Sequence, residues 1–566
     1  MAEENKQTAE RPTTYDASST KTNVAVKSLH GRTKITLPMS KEKFDEDQGA
    51  NILKYLPYVL RVHNANANQI QYLYDYYKGI QPILWKEKVV RPDINHIVLE
   101  NHAYEFVNFK KSYVFGKPIQ YVQKGVDKSE GLDKELATLN TYMENISKTS
   151  EDGELAEWQY ICGTSYRYIG EGDENDSTPF IMSTPDPRNT FVVYSNSIKE
   201  EVLFSGFITY NNNSLIGTLA GETNLSFDKT ITIYTDDNNY LLQNFKEANI
   251  EGFRVIPQQI PVGNNEFQEA QAYPLVIKGN RIIEYPLNNS RLGLIEVVMS
   301  LFDAINQVKS NDVDDIDQFV QSLLVFINQE VEPERFKELI QLGAIEVNSA
   351  DATRPADVKL LTSQLSHSET KVVTMDLYQT ALRICGIPIN AGSSSGDTGT
   401  AKAMGEGWTM ADARANQDEQ NFKKYEKKAL KLILDICKQN IKADDKLDKI
   451  KELSAEDIDI KFTRNKSDNL LVKTQGLMNL KSCQIAPEIA LDICGIVSDP
   501  NEVAIRSKEW YGDSWWASYE KMQEINAKAA GEDTMPKNDT TKVANQDINN
   551  IPYNKENKEE LKESNK

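Results

Sequence analysis

Apolar residues recur at spacings of three and four along much of the chain, which is the pattern of helices that bury one face. The first such stretch, Ala50–Lys78, predicts helical segments that stop at Gly79. The second, His96–Phe115, predicts a helix that ends at Gly116, with Pro118 just beyond it. A glycine followed closely by a proline is typical of a helix C-terminus.

The middle of the chain, between Tyr160 and Ile260, has a different character. Three short runs there are rich in β-branched and aromatic residues and are separated by turns rich in Asn and Asp: Thr190–Tyr194, Glu201–Tyr210 and Thr230–Tyr234. Such runs predict antiparallel strands. Together with the flanking helices, they predict an α+β fold.

The most regular helical pattern follows Pro286, where apolar residues fall every three or four positions from Leu292 to Leu323. Ser290 is the predicted N-cap. A continuous helix to Leu324 would be roughly 50 Å long at 1.5 Å per residue. Its middle carries five acidic residues, which in a single helix would most often be a solvated face: Asp303, Asp312, Asp314, Asp315 and Asp317.

A small module of short elements and a second helix follow the long helix. This order of elements predicts a stalk of two helices with a small module at its tip. Four short elements are predicted in the module. They are a strand at Leu323–Ile327, a helix near Pro333–Leu342, and strands at Ala344–Val347 and Val358–Leu361. The returning helix begins at a capping box, Ser366–Glu369, and ends at Gly386 before Pro388.

The segment Asn390–Gly399 is rich in Gly and Ser and leads into another long helix, predicted over Thr400–Cys437. A strand follows at Ile458–Phe462, and the chain to Asn526 is mostly helical in pattern. Both ends, residues 1–48 and 527–566, are polar and lack hydrophobic periodicity. Such segments bury too little surface to offset chain entropy, so we predict that both are disordered or become ordered only on a partner.

The chain has 566 residues, long enough for several domains, with a globular balance of 39% hydrophobic and 26% charged residues. No apolar run is long enough to span a bilayer, so no membrane association is expected.

The five cysteines are an odd number and widely spread, which favours reduced thiols in a cytosolic setting. A net charge of −20 disfavours tight DNA binding. It fits either a protein unrelated to nucleic acid or a conduit whose wall does not hold DNA.

No motif for catalysis or metal binding stands out. The Gly/Ser segment lacks the Lys-Ser/Thr pair of a phosphate-binding loop after Gly399. The five histidines and five cysteines lack zinc-ligand spacing, and the acidic run Asn311–Asp317 lacks the turn glycine and late glutamate of a calcium loop. We therefore expect no enzymatic activity, no cofactor and no metal.

Four stretches, in this order, resemble the phage portal family, in particular the SPP1-like branch of tailed phages of Gram-positive bacteria. They are the helix and aromatic-Gly-x-Pro-Ile turn at 101–121, the stretch Glu284–Asn289 before the long helix, the stretch Ile384–Lys402 around the Gly/Ser segment, and Asp459–Asn465 with its Arg-Asn pair. The match runs from about residue 50 to 470. The chain departs from the family in having Lys402 immediately after Thr400-Ala401.

The resemblance implies a multi-domain portal fold with a wing, a stem, a clip and a crown, assembled as a ring. The implied segments are a disordered N-terminal arm at 1–48, wing at 49–289, stem helix 1 at 290–320, clip at 321–363, stem helix 2 at 364–386, tunnel loop at 387–399, tunnel helix and wing return strand at 400–465, helical crown at 466–526, and disordered tail at 527–566.

The resemblance also implies the function. Portal subunits form a ring, usually of twelve copies, at one capsid vertex of the virion, and genomic DNA is packaged, retained and ejected through it. The implied partners are double-stranded DNA bound without sequence specificity, the large terminase, the major capsid and scaffolding proteins, and head-completion or neck proteins. Assembly would take place in the cytoplasm of the bacterial host.

Two groups of residues are then expected to meet DNA. In a ring, the five aspartates of stem helix 1 would form negative belts along the channel, with a reach of about 8 Å at physiological salt. The tunnel loop would contact the duplex through Asn390, Gly392, Ser393, Ser394, Ser395, Gly396, Asp397, Gly399 and Lys402. Lys402 fits an ordinary surface lysine equally well.

Two other functions fit parts of the sequence. One is a different oligomeric virion protein, such as a connector or adaptor, although these are much shorter and lack the helix–module–helix stalk. The other is a host cytosolic enzyme or ligand-binding protein with an incidental acidic helix. That alternative predicts a monomer or dimer with a deep pocket, whereas a portal predicts a large ring.

Overall fold

The computed structural model describes residues 31–89, 92–124, 130–172, 177–211, 228–247, 250–263, 266–320, 323–327, 357–361, 367–389, 407–439, 450–464, 470–497, 500–512 and 516. The chain divides into two compact units, residues 1–468 and 469–566.

Eight α-helices lie in the described residues of the first unit. They are α1 (Lys41–Asp45), α2 (Gln48–Tyr77), α3 (His102–Phe115), α4 (Glu130–Asn145), α5 (Lys148–Cys162), α6 (Leu294–Val320), α7 (His367–Cys385) and α8 (Trp408–Gln439). A short 3-10 helix, Pro82–Trp85, follows α2.

The strands of this unit form one large sheet and several small ones. In chain order they are β1 (Ile35–Leu37), β2 (Gln120–Gln123), β3 (Thr164–Glu171), β4 (Phe180–Ser183), β5 (Thr190–Ser195), β6 (Val202–Asn211), β7 (Asp228–Tyr234), β8 (Asn238–Glu247), β9 (Ile250–Val255), β10 (Gln258–Gly263), β11 (Glu266–Ala270), β12 (Tyr273–Pro274), β13 (Ile282–Pro286), β14 (Leu323–Ile327), β15 (Asp357–Leu361) and β16 (Ile458–Lys461).

The large sheet has seven strands in the order β1-β5-β6-β7-β8-β12, and β9 also pairs with β8. Its pairs are antiparallel except β1 with β5, which is parallel. A second sheet has the order β13-β3-β4, and β16 pairs with β2. The predicted antiparallel strands and the α+β class are therefore confirmed.

Helix α2 joins two hydrophobic cores. Its first half packs Ile52, Leu56 and Val59 against the large sheet. Its second half packs Leu73 and Tyr76 into a larger cluster that includes residues of α3, α5, α6, α7 and α8. The 30-residue helix continues through Pro57 and ends at Tyr77, followed by Gly79 with φ +95°. This confirms the predicted helix and its glycine stop.

The prediction that residues 1–48 form a disordered arm is wrong for its last part. Residues 35–37 form β1 at the edge of the large sheet, and α1 follows. The main chain of Thr33 makes two hydrogen bonds of 2.9 and 2.8 Å with the amide group of Asn66 on α2, and Arg32 forms a buried ion pair with Glu296. These partners lie far away in sequence, so local composition does not reveal them.

Two predicted helix starts are also wrong. The long helix begins at Leu294, and Ser290 does not cap it. Residue Arg291 has φ +53°, so the chain makes a turn there before the helix starts. The helix predicted from His96 begins at His102, where the side chain of Asn101 accepts a hydrogen bond of 3.2 Å from the amide of Tyr104.

Other predicted elements agree with the structure or lie outside the described residues. Helix α7 ends at Cys385 before Gly386, which has φ +63°, and β14 and β15 match the strands expected at both ends of the small module. The helix near Pro333–Leu342, the strand at Ala344–Val347 and the cap Ser366 lie outside the described residues.

The second unit contains three helices in its described residues, α9 (Leu470–Ser482), α10 (Pro487–Cys494) and α11 (Pro500–Tyr511). The indole of Trp516 donates a hydrogen bond of 2.8 Å to the carbonyl of Ile485, between α9 and α10. The predicted helical character after residue 466 is confirmed for these ranges.

Candidate functional site

Helices α6 and α7 pack along each other, and the paired strands β14 and β15 lie between them in the sequence. The strands pair antiparallel from Leu323 with Leu361 to Ile327 with Asp357. Strand β14 follows the end of α6, and β15 precedes α7 in the sequence. The chain therefore goes out along one helix, turns back through the strand pair and returns along the second helix, as the stalk pattern predicted.

The first half of α6 is held by apolar packing. Ile295, Val298 and Phe302 are buried in the large core cluster together with Ala381 and Leu382 of α7. The ring of Phe302 also meets the ring of Phe106 on α3 edge to face, at 5.0 Å between centroids. The two stalk helices are thus anchored to each other and to the body at one end.

The second half of α6 is held by a polar ladder, which we define as Asn306, Ser310 and Asp314 of α6 with the main chain of residues 96–100. The amide of Glu100 donates to Asn306 Oδ1 at 2.8 Å, and the amide of Val98 donates to Ser310 Oγ at 3.0 Å. The Ser310 hydroxyl in turn donates to the Val98 carbonyl at 3.3 Å, and the amide of His96 donates to Asp314 Oδ1 at 2.6 Å.

Side chains of α6 can meet every second residue of the extended segment 96–100 because the spacing of the two sets of residues is similar. Four residues of α-helix rise about 6.0 Å, and two residues of extended chain span about 6.6 Å. Asn306, Ser310 and Asp314 are all buried, and each of these side chains accepts a hydrogen bond from a main-chain amide of the segment. The polar ladder therefore fixes the long helix against the body with a defined register.

Asp314 is also the centre of an ion-pair cluster. Lys86 Nζ lies 2.7 Å from its carboxylate and Lys88 Nζ lies 3.3 Å away. Burial acts to raise the pKa of Asp314, but hydrogen bonds from Lys86 and from the amide and ring of His96 lower it to about 2. The carboxylate is therefore charged at neutral pH and is neutralised within its own chain.

The five predicted channel aspartates thus occupy different environments. Asp303 accepts a hydrogen bond of 2.8 Å from the Tyr76 hydroxyl, and burial raises its pKa. Asp312, Asp315 and Asp317 are half-buried, and Asp317 lies 3.9 Å from His96 Nε2. Whether any of them faces a channel stays a prediction, because a channel would require further copies of the chain.

His102 lies where α3 meets both stalk helices. Its Nδ1 is 2.8 Å from Glu105 and its Nε2 is 3.1 Å from Glu100. The ring packs against Tyr378 of α7 at 4.7 Å and against Phe302 of α6 at 5.8 Å. Both ring nitrogens face carboxylates, so both must carry a proton to donate, and the neighbouring glutamates raise the pKa of His102 against the effect of burial.

The predicted tunnel loop, 387–399, is described only at 387–389, where Ile387 and Ile389 pack on the large core cluster, and the described residues resume at 407. All nine of its predicted DNA-contacting residues are therefore unplaced: Asn390, Gly392, Ser393, Ser394, Ser395, Gly396, Asp397, Gly399 and Lys402. The helices on both sides of it, α7 and α8, are described.

Arg464 fixes the start of α8. It follows β16, and its guanidinium bonds Asp412 at 2.7 Å and Glu419 at 2.9 Å, and also contacts Asn416. These three residues lie on one face of the first turns of α8, and the Tyr113 hydroxyl of α3 also donates to Asp412. Arg464, the first member of the Arg-Asn pair noted in the sequence, thus binds the helix that follows the loop, and Asn465 lies outside the described residues.

A buried charge cluster, missed by the sequence analysis, holds the middle of α8. Glu426 is fully buried and lies 3.1 Å from Lys148 Nζ and 3.6 Å from Arg167 Nη1. The same two cations contact Asp152, at 2.6 and 2.5 Å. Two acids and two bases therefore balance each other inside the core.

Two tyrosines complete the buried charge cluster. The hydroxyls of Tyr121 and Tyr285 donate to the Glu426 carboxylate at 2.6 and 2.7 Å. Although burial acts to raise it, the pKa of Glu426 is held low by Lys148, Arg167 and these two hydroxyls. A sequence signal existed, because Glu426 occupies an apolar-stripe position on α8, four residues after Phe422 and three before Ala429.

The described ranges offer no metal centre, since no group of three or more His, Cys, Asp or Glu side chains there is arranged to hold an ion. None of their helices is long and apolar enough to cross a lipid bilayer. The cysteines there are unpaired, and burial raises the pKa of Cys162 and Cys385 to about 12. The contacts described above surround three long helices, α6, α7 and α8.

Comparison with known proteins gives the family to which the sequence belongs. A search of curated proteins finds no significant match. The sequence profile described as phage portal protein, SPP1 Gp6-like, matches residues 57–535, which is most of the chain. This range includes α6, α7, α8 and the contacts that hold them. The chain belongs to the SPP1 Gp6-like family of phage portal proteins.

Proposed function

We propose that this portal protein assembles into a closed ring of twelve copies at one vertex of the capsid, with α6 and α7 around a central channel. Genomic DNA would be packaged through the channel by the large terminase, retained there, and later ejected. The portal family is structural, and we propose that this chain has no catalytic activity and needs no cofactor or metal of its own.

The observation that carries the proposal is the α6–β14–β15–α7 stalk and its register-fixed attachment to the body. A stalk of two helices exposes surface that its own chain leaves uncovered. On α7, Val372 is 67% exposed, Val373 51% and Met375 55%. Neighbouring exposed apolar side chains of this size mark an interaction site. The same helix pair of an adjacent copy would cover them.

The position of each segment in the chain determines the portal domain to which we assign it. We propose that residues 49–289 and 400–465 form the wing, 290–320 and 364–386 the stem, 321–363 the clip and 466–526 the crown. The strand pair β14–β15 lies in the clip, where the large terminase and later the head-completion proteins would bind. The wing and crown would meet the capsid and scaffolding proteins, and assembly would occur in the host cytoplasm.

For the channel we propose different roles for the five aspartates of α6. Asp303 and Asp314 hold the helix in place through Tyr76 and Lys86, while Asp312, Asp315 and Asp317 present charge to the channel. Half-buried carboxylates repeated around a ring would keep DNA phosphates from binding to the wall. The Gly/Ser loop would touch the duplex and help to retain it, since glycines permit mobility and small side chains permit close approach.

Electron microscopy of the purified full chain tests ring formation. We expect rings with a central hole, and loss of rings when V372E and M375E are combined, because charges would then have to be buried between copies. The matched control combines V276E and M478E, which introduce the same charges at similarly exposed positions outside the stalk. A particle that stays monomeric at high protein concentration would rule out the proposal.

Two packaging measurements test the channel roles separately. Combining D312N, D315N and D317N removes the charge proposed for the wall, and we expect slower DNA packaging with normal ring assembly. Deleting residues 393–396 should leave packaging possible but let packaged DNA leak from the capsid. Unchanged packaging rates in the first variant, or unchanged retention in the second, would remove that element from the mechanism.

A further inference from the structure

One buried lysine differs from every other buried lysine or arginine in the described part of the chain. Six Lys and Arg side chains there are at least nine-tenths buried: Arg32, Lys110, Lys148, Arg167, Arg281 and Arg291. Five of them form ion pairs, with Glu296, Asp152, Asp152, Glu171 and Glu284 respectively. Lys110 is 3% exposed, and among the described residues none forms a hydrogen bond or an ion pair with it.

Lys110 lines a cavity of about 310 Å³ where five elements meet. Tyr160 of α5, the first turn of α6 at Leu294, Cys385 at the end of α7, and Arg414 of α8 contribute to its wall. Arg414 is exposed at the mouth, while Lys110 lies inside. The cavity thus combines two basic side chains with the N-terminus of a 27-residue helix.

One carboxylate faces the two cations of this cavity. Asp418 lies in its wall, accepts a hydrogen bond of 3.2 Å from Tyr160 and interacts electrostatically with both Lys110 and Arg414. The Cys385 thiol has a pKa raised to about 12 by burial and is therefore uncharged at neutral pH. One acid for two cations leaves a net positive charge, and a buried ammonium group without a hydrogen-bonding partner is costly, whereas an apolar side chain would fill the same space at lower cost.

We propose that this cavity binds a small oxyanion of the phosphate or sulfate class, with Lys110 and Arg414 as its two cationic ligands. The Gly293 amide at the start of α6 already donates a hydrogen bond of 2.6 Å to Glu296 of the first helical turn, so the two cations and not the helix N-terminus would hold the anion. A bound tetrahedral anion would supply the partner that Lys110 lacks. A carboxylate of a neighbouring copy would be a different, planar ligand, and the experiment distinguishes it from a free oxyanion.

Isothermal titration of the full-length protein with sulfate, at constant ionic strength, tests the site. Because sulfate keeps its charge across the neutral range, the probe itself adds no pH dependence. We expect K110M to weaken binding by at least about tenfold, the loss expected for a charge-assisted contact. R414Q should weaken binding as well, and K117M, at an exposed lysine just after the end of α3, should leave it unchanged.

The stability of the anion-free variant provides a second readout. If Lys110 is kept for a ligand, K110M in anion-free buffer should unfold at the same or a higher temperature than the parent protein, and sulfate should stabilise only the parent. A lower unfolding temperature for K110M without anion would make Lys110 a structural residue and overturn the proposal. So would equal sulfate affinity in the parent protein and K110M.

Proton linkage gives a third readout. Burial lowers the pKa of Lys110, with Asp418, Cys385 and Arg414 as the charged or titratable groups that face it. A bound anion favours the charged amine, so binding should take up protons, and affinity should fall as pH rises. Proton uptake measured in buffers of different ionisation enthalpy should disappear in K110M. Its persistence in that variant would count against the assignment.

The titration is run on both unassembled and assembled protein. Equal sulfate binding to both fractions identifies a free anion as the natural ligand. Binding only to unassembled protein, with sulfate and K110M both weakening assembly, would show that a carboxylate of the neighbouring copy fills the cavity and would overturn the oxyanion proposal. Absence of binding in both fractions overturns the proposal while leaving the portal function untouched, because ring formation is measured independently.

Discussion

The main-chain amide of His96 lies 2.6 Å from a carboxylate oxygen of Asp314, a residue 218 positions later in the chain. This contact ends the polar ladder between the segment before α3 and the second half of α6. It gives Asp314, which the sequence presents as one acid in an acidic run, a structural role inside its own subunit.

Replacing Asp314 with Asn should destabilise the protein by about 3 kcal/mol, because Lys86 would remain largely buried without its counter-charge. Urea unfolding measures the loss, and hydrogen exchange should show faster exchange at the amides of 96, 98 and 100. The matched control is D315N, at a half-buried neighbour on the same helix, which should change stability by less than about 0.5 kcal/mol.

The ion pair of Asp314 and Lys86 also predicts that the stability of the protein depends on pH in the acid range. The folded pKa of Asp314 is about 2 and its ordinary value is 3.8, so its stabilising effect is present above pH 3.8 and is lost as pH falls toward 2. The stability difference between the parent protein and D314N should therefore shrink in that range. A difference that stayed constant down to pH 2 would contradict the ion pair.

His102 predicts the opposite dependence near neutrality. Its folded pKa is raised above 6.5, so its contacts with Glu100 and Glu105 stabilise the protein fully below pH 6.5 and are lost as pH rises through the folded pKa. The stability advantage of the parent protein over H102Q should thus decline with rising pH. Thermal unfolding across a pH series measures this trend.

His63 provides a control, because its contribution to stability should change with pH in the direction opposite to that of His102. Burial lowers its pKa to about 4, so the neutral ring, bonded to the Arg188 carbonyl at 3.0 Å, stabilises the fold above pH 6.5 and loses this effect as pH falls toward 4. The parent protein should therefore gain stability over H63Q with rising pH. If both variants showed the same trend, the assignment for His102 would be wrong.

Replacing Glu426 with Gln should cost at least about 3 kcal/mol, because Lys148 and Arg167 would be left buried with Asp152 as the only acid between them. Unfolding in urea measures this cost. D435N, a half-buried carboxylate on the same helix, is the control and should stay within about 0.5 kcal/mol of the parent protein. A loss of similar size in both variants would argue against the buried charge cluster.

Arg464 predicts a local effect at the start of α8. In R464M the contacts with Asp412 and Glu419 are lost, so the amides of residues 408–416 should exchange hydrogen faster while the middle of α8 stays protected. R464K should show an intermediate effect, since one ammonium group cannot reproduce the guanidinium fork. K461M, on the preceding strand, is the control and should leave this exchange unchanged.

Much of the architecture could be predicted from local patterns, and the reasons are physical. The helix ends at Tyr77 and Cys385 were predicted because Gly79 and Gly386 adopt positive φ, which favours glycine. The strands were predicted because β-rich runs alternate with turns. The N-terminal segment was missed because its order depends on Asn66 and Glu296, which only the folded chain brings close.

The site itself was predicted only in part. The spacing of apolar residues predicted that Asp314 lies on the long helix. It did not predict the direction in which the side chain points, because its partner Lys86 lies 228 positions away in the sequence. A finer reading was available: Asn306, Ser310 and Asp314 continue the four-residue spacing of Val298 and Phe302, so they lie on the buried face. Polar residues on an apolar stripe of a helix indicate buried main-chain partners.

The polar ladder has a consequence for how the long helix can move. The rise of four helical residues and the span of two extended residues differ by about 0.6 Å, so a fourth rung would be displaced by almost 2 Å, and the polar ladder ends at Asp314, which also binds Lys86 and Lys88. Sliding α6 by one helical turn would place the Asp314 carboxylate opposite Val98, out of reach of both lysines. Axial displacement of this helix is therefore restricted to discrete positions, and only one of them neutralises its buried charge.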